Sequence, residues 1–194
     1  MHELLARIVA DLLSLKARHA VVGGHAVSAR TEPRFTRDLD LAVAVANDRE
    51  AEDLVASLGA RGYRIVALIE QEASGRLATV RLEHASAHGV LVDLLFATAG
   101  VEPEVVDGAS ALQVLAKLVL PVASVGHLLA LKTLSLDEQK RPQDRIDIAA
   151  LLRVATAADL RAAEQAISLI TQRGCNRGRD LLAMFAQLRA PSSS

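Results

Sequence analysis

The amino-acid sequence predicts an α/β (α+β) protein, with a mixed sheet flanked by helices and followed by a C-terminal helical bundle. Two observations carry that expectation. Through residue 122, short apolar runs alternate with amphipathic stretches in a βαβαβ order and end in a hairpin-like pair of strands. From Ser124 onward the strand-like runs stop, and residues that open helices recur: Ser124, Pro142 and Thr156.

Taken in order, Leu4, Leu5, Ile8, Leu12 and Leu15 recur at three- and four-residue steps and predict an opening amphipathic helix. Ala20-Val21-Val22 reads as a buried strand stopped by Gly23-Gly24, with a helix over residues 25–30 that Pro33 ends. After a polar connection, Leu39, Leu41, Val43 and Val45 mark a second strand whose first residues include Asp38 and Asp40. A helix over 48–58, capped by Asn47 or Asp48 and stopped by Gly59, leads to a strand over 63–68. Residues 76–83 and 90–96 suit two further strands, 98–108 a loop, and 112–115 an edge strand. Helices are then expected over 124–136, 142–154, from Thr156, and over 176–188. This divides the chain into a core over 1–122, a helical region over 123–190 packed on it, and a disordered tail over 191–194.

Composition narrows the function classes. A hydrophobic content of 51% over 194 residues suffices for a real core. Lys and Arg total 22 against 23 Asp and Glu, so no global charge favours nucleic acid or an anionic membrane. The charge is unevenly placed, with nine Lys and Arg against five Asp and Glu from Gln139 onward, a pattern that a solvated helical surface also gives. The single Cys175 excludes an internal disulfide, and the N-terminus lacks the pattern of a secretory signal, so a cytoplasmic location is expected. No apolar run reaches the ~18 residues that span a bilayer. Aromatic residues, at 2% with no Trp, are too few for a base-stacking platform.

The chemistry is concentrated in three places. Asp38 and Asp40 lie two apart on a strand, so both carboxylates share one face while Leu39 and Leu41 point to the core. Like charges that close are relieved by a hard cation such as Mg2+, although an exposed strand end gives the same short pattern. Asp93 interrupts the run Val90-Leu91-Val92 and Leu94-Leu95-Phe96, where an unpaired charge is costly, so it needs a partner. That partner is either the same metal site, where Asp93 would help take a proton from an acceptor hydroxyl, or an arginine such as Arg81. Gly23-Gly24 lets backbone amides approach phosphate oxygens at the start of a helix, though a steric role for such a pair is common. His84 and His88 flank a hairpin turn without a Cys or Glu to complete a zinc site. His25 follows the glycine pair, in place either to touch phosphate or to pack.

Val22-Gly23-Gly24, thirteen intervening residues and Asp38-Leu39-Asp40-Leu41 resemble the pattern of the DNA polymerase beta-like nucleotidyltransferase superfamily. The connection Glu32-Pro33-Arg34-Phe35-Thr36-Arg37 resembles its AbiEii-type group, which includes toxins of toxin-antitoxin and phage-defence systems. So does a second block: Leu120-Pro121-Val122-Ala123, His127 to Lys132, then Arg141, Asp144 and Asp147-Ile148. The resemblance covers most of residues 18–152.

It implies a nucleotidyltransferase-type fold and transfer of a nucleoside monophosphate from a nucleoside triphosphate such as ATP to a hydroxyl, releasing pyrophosphate. By the family's pattern Asp38 and Asp40 hold two Mg2+ ions, Asp93 completes one of them, and Gly23 and Gly24 cradle the triphosphate. Lys132 would reach the nucleotide phosphates, and Arg34, Thr36 and Arg37 are placed for a polyanionic substrate. Asp144 and Asp147 would orient Lys132 or line the acceptor side, local helix ion pairs being the alternative. The resemblance favours transfer RNA or protein as acceptor and an antitoxin as partner, with an antibiotic as the second choice of acceptor. A catalytically inactive nucleotide- or partner-binding module on the same fold is one competing reading. A nucleic-acid-binding regulator built on Arg173, Arg177 and Arg179 is another, without a helix-turn-helix pattern to support it.

Overall fold

The computed structural model describes residues 2–36, 38–72, 74–87, 89–115, 118–137, 139 and 141–190. Arg37, His88 and the expected tail over 191–194 lie outside the described residues.

Helix α1 (His2–Ser14) buries the stripe its sequence spells out, with Leu4, Leu5, Ile8 and Leu12 almost wholly inside the core. It ends where Lys16 turns left-handed at φ 57°. Strand β1 (Arg18–Val22) then passes directly into α2 (Gly23–Arg30), which begins at the glycines themselves rather than after a separate turn. Strand β2 (Leu39–Ala44) follows, with Asp38 just outside its first residue. Helix α3 (Asp48–Gly59) is capped by the Asn47 side chain, which accepts from the Glu50 amide. Strands β3 (Tyr63–Glu70), β4 (Leu77–His84) and β5 (Leu91–Leu95) complete the first part of the sheet.

Two elements differ from the sequence expectation. Residues 98–108 are not all loop, because Glu102–Asp107 form helix α4, with Pro103 in its first turn. The segment before Ser124 holds two strands, β6 (Ser110–Leu115) and β7 (Leu118–Val122), paired antiparallel. The acids and small residues of 98–108 hid a short helix, and Pro121 disguised a strand next to the sheet's edge.

The strands make one mixed sheet in the order β3-β4-β5-β2-β1-β7-β6. Its central register decides everything that follows. Strands β1 and β2 pair antiparallel with Val22 opposite Asp40, β2 and β5 pair parallel with Asp40 opposite Asp93, and β5 and β4 pair antiparallel with Asp93 opposite Arg81. Residues opposite one another share a face, so one row across four strands carries Val22, Asp40, Asp93 and Arg81. On the other face Leu39, Leu41, Val92, Leu94, Leu82 and Val80 are buried. The acids are thus held at one face by a core at the other.

The helices after Ser124 are α5 (Val125–Ser135), α6 (Pro142–Val154), α7 (Ala157–Gln172) and α8 (Leu181–Arg189). Ser124 accepts from the His127 amide, Thr156 and Asp159 form a reciprocal capping box, and Asp180 caps α8. The last helix therefore starts five residues later than the expected 176. Helix α5 packs against α2, α6, α7 and α8, and together with α6 it joins the bundle to α2. Among the described residues no helix is long and apolar enough to cross a membrane.

At Gly126 helix α5 approaches α7 closely. A Cβ there would lie 2.6 Å from the Asp159 carbonyl oxygen and 2.8 Å from the Ala162 Cβ. Gly126→Ala is expected to lower the unfolding free energy in urea by about 1–3 kcal/mol, the usual range for overpacking. Unchanged stability would contradict this close approach of α5 and α7.

Candidate active site

The row of register partners opens into a cleft of about 610 Å3 between the sheet and the C-terminal helices. Gly23, Asp40, Asp93, Thr79, Arg81 and Thr98 line it from the sheet side, and Lys132, Ser135, Asp137, Arg141, Arg177 and Arg179 from the helical side.

Asp40 is the focus of the negative charge. Burial, then the neighbouring Asp93 carboxylate, and also Asp38, push its pKa up to about 6, while Lys132 and Arg141 act in the opposite direction. The partner that Asp93 requires is Arg81, whose Nε and Nη2 donate to its two oxygens at 2.7 and 2.6 Å. Those hydrogen bonds hold the Arg81 proton more tightly than usual against the opposing effect of burial, and the charges of Asp38 and Asp40 add to the hold. Of the two partners expected for Asp93 the structure places Arg81 on it, while the strand pairing sets it beside Asp40.

Asp40 and Asp93 line the cleft and Asp38 does not, although its charge acts on Asp40; carboxylate oxygens crowded in this way are the donors that a hard divalent cation takes. Asp93 has both oxygens on Arg81, and among the described residues no group of three His, Cys, Asp or Glu side chains is arranged around a common ion position.

The glycine pair serves two separate contacts. Gly23 has φ 60°, and a Cβ on it would fall 1.9 Å from Asp40 Oδ2, so only glycine lets the carboxylate sit there. Gly24 is buried, and a Cβ on it would meet Thr36 Oγ1 at 2.6 Å and Arg34 Nη2 at 2.9 Å. Of the two, Gly23 lines the cleft and Gly24 does not. The N-terminus of α2 carries no side-chain cap, which leaves its first amides without a side-chain acceptor. Arg30 fastens the other end of α2, donating to the Ala123 and Val122 carbonyl oxygens at 3.0 and 2.9 Å and to Ser110 Oγ at 2.8 Å.

Lys132 reaches the cleft under firm control. Its Nζ lies 2.6 Å from Asp144 Oδ1 and 2.8 Å from Asp147 Oδ2. Ser135 donates to the other Asp144 oxygen at 2.7 Å, and Arg34 clamps Asp147 through Nε at 2.8 Å and Nη2 at 2.7 Å. Burial would raise the Asp147 pKa, but hydrogen bonds from Arg34 and Lys132 hold it below the ordinary carboxylate value. Asp144 and Asp147 thus hold Lys132 and bridge α5 to α6. Arg34, expected near a polyanionic substrate, places two donors on Asp147 in this structure.

Several residues of the cleft were not marked as site residues by the sequence. Arg81 was named only as a possible partner of Asp93; fixing the hairpin register would have placed it opposite that residue. Ser135 carries no sequence signal, while Arg177 and Arg179 read in the sequence, with Arg173, as a basic surface. Of these three arginines Arg173 does not line the cleft and pairs with Glu104. His25 is buried and does not line the cleft. His84 shares its ring nitrogens with Ser86 Oγ and the Arg61 carbonyl oxygen, which gives it a packing role at the hairpin.

A family model described as nucleotidyl transferase AbiEii toxin, Type IV TA system, matches residues 3–192. No curated protein matches the chain in sequence. Among solved structures, the lincosamide antibiotic adenylyltransferase LnuA, lincomycin-bound, superposes with a TM-score of 0.52 at 16% identity, covering 80% of this chain and 98% of that one. An antigenic nucleotidyltransferase-like protein from Paracoccidioides brasiliensis gives a TM-score of 0.53 at 19% identity, covering 95% and 91%. The antibiotic-resistance factor ANT(2'')-Ia gives 0.53 at 17% identity, covering 96% and 88%. At these identities the likeness is one of fold.

Gly23→Ala tests the contact with Asp40. The variant is expected to lose about 1–2 kcal/mol from the left-handed backbone alone, and more from displacing the carboxylate, read by urea unfolding. Wild-type stability would mean that Gly23 and Asp40 are not in contact.

Proposed function

The chain belongs to the AbiEii nucleotidyltransferase toxin family, and from that membership we propose that it transfers a nucleoside monophosphate from a nucleoside triphosphate to a hydroxyl of RNA or protein, as the toxin of a toxin-antitoxin pair. The observation that carries the reading is the row of Asp40, Asp93 and Arg81 beside Gly23, facing Lys132 across one cleft.

In this reading Asp38 and Asp40 would hold Mg2+, with Asp93 as the third candidate ligand. When bound, magnesium supplies charge neutralisation at the phosphates and a more acidic acceptor hydroxyl. The uncapped amides at the start of α2 bind triphosphate oxygens, and Gly23 keeps Asp40 within reach of the same group. Lys132, fixed by Asp144 and Asp147, places a positive charge on the opposite wall. The acceptor oxygen bonds to the α-phosphorus as the bond to pyrophosphate breaks, and the hydroxyl proton passes to a cleft carboxylate. Such chemistry depends on position and charge more than on covalent help from the protein.

A transfer RNA end is the preferred acceptor, with a protein hydroxyl in the same class of target. The cytoplasm is where both such acceptors and triphosphates are found together. A small-molecule acceptor is the second reading. The cleft volume of about 610 Å3 falls within the usual range for small-molecule sites, and two proteins of similar fold carry antibiotic-modifying or resistance descriptions.

The test is transfer from each α-labelled nucleoside triphosphate with magnesium to total transfer RNA, lysate protein, a lincosamide or an aminoglycoside, each in turn. Wild-type protein is expected to label RNA or protein, and Asp40→Ala to lower the rate at least about a hundredfold, the scale for losing a positioned charge in a transition state. Label on the small molecules alone would move the acceptor to the second reading. No label from any triphosphate, with nucleotide still bound, would favour the inactive binding module.

A further inference from the structure

We propose that Arg141, Arg177 and Arg179 form an anion subsite on the helical wall of the cleft, built to take a phosphate group of the substrates. The site stands on geometry and charge; only the choice between the triphosphate and an acceptor phosphodiester rests on the nucleotidyl-transfer reading.

The segment between α7 and α8 is shaped to deliver these side chains. Arg173 is held outside by Glu104, and Cys175 is buried. Arg177 and Gly178 then adopt consecutive left-handed conformations, with φ 56° and 68°. That backbone suits glycine at 178 but is costly for an arginine at 177, and such cost concentrates where function holds a residue in place. Arg179 anchors the segment, donating to the Leu136 carbonyl oxygen at 3.0 Å and to that of Leu134, so it closes the C-terminal end of α5. Its Nε is buried with no hydrogen-bond partner among the described residues.

The charge pattern separates these arginines from the other cations of the cleft. Arg81 is matched by Asp93, and Lys132 by Asp144 and Asp147. Arg141 and Arg177 make no ion pair with a described residue, although both line the same cleft. Loss of hydration, then the like charges of Arg179 and Arg141, lower the Arg177 pKa from its ordinary value, with Glu72 the opposing charge. Guanidinium groups gathered this way match phosphate oxygens in shape and charge, and a phosphate would offset their mutual repulsion. A polycationic aminosugar would be repelled by them.

Arg177→Gly separates binding from folding, because glycine accepts the left-handed backbone without penalty. Its melting temperature is expected to be no lower than that of the wild type. The two proteins are titrated calorimetrically with inorganic tripolyphosphate and, separately, with a single-stranded oligoribonucleotide over a range of salt concentrations. Arg177→Gly is expected to weaken binding of one probe about tenfold, as for one charge-assisted phosphate contact. Loss confined to tripolyphosphate assigns the subsite to the nucleotide. Loss with the oligoribonucleotide, and a salt slope smaller by about 0.7, assigns it to the acceptor. Equal affinities of the two proteins for both probes, or no binding of either probe by the wild type, would overturn the proposal. Because no turnover is measured, the result stands whether or not transfer is found.

Discussion

The parallel pairing of β2 with β5, which sets Asp40 directly beside Asp93, is the constraint on which the rest of the molecule depends. Two carboxylates at adjacent positions of a sheet repel, and against that repulsion the backbone ladder and the burial of Leu39, Leu41, Val92 and Leu94 on the opposite face hold the strands together. The repulsion is then managed locally. Arg81 takes both oxygens of Asp93 from the next strand, and Gly23 gives up its side chain so that Asp40 has room. An acidic pair with the Asp40 pKa raised, set in a lined cleft, marks this face as a candidate functional site.

The second half of the molecule answers that charge. Helix α5 carries Lys132 to the cleft, and a chain of buried groups fixes it: Asp144, Ser135, Asp147 and, beyond them, Arg34 from the loop before β2. Through Arg34 the loop that leads to Asp38 is tied to α6, and through Arg30 helix α2 is tied to β7. The cleft walls are therefore cross-linked by charged hydrogen bonds at their base, while Arg141 and Arg177 remain exposed at the open side.

Much of this was legible in the sequence, for identifiable reasons. The strands carrying Asp40 and Asp93 could be read because period-two alternation and an acid inside an apolar run are local signals. The caps at Asn47, Ser124 and Thr156 could be read because a short polar side chain before a helix has one main use. What stayed hidden was long-range. No local pattern tells that Arg34 turns to Asp147, 113 residues away, or that Arg177 faces the cleft while Arg173 does not. A steric role for the glycine pair was open from the sequence, but that Gly24 meets Thr36 depends on how a loop folds back over a helix.

Binding of Mn2+, followed by electron paramagnetic resonance with a non-hydrolysable nucleoside triphosphate present, addresses the carboxylate cluster without any assumption about the acceptor. The wild type is expected to take up the ion in the nucleotide's presence, and Asp40→Asn to weaken that uptake at least about tenfold, since one of the hard oxygen donors is lost. Equal Mn2+ affinity in the two proteins would contradict the assignment of this face of the sheet as the metal-nucleotide site.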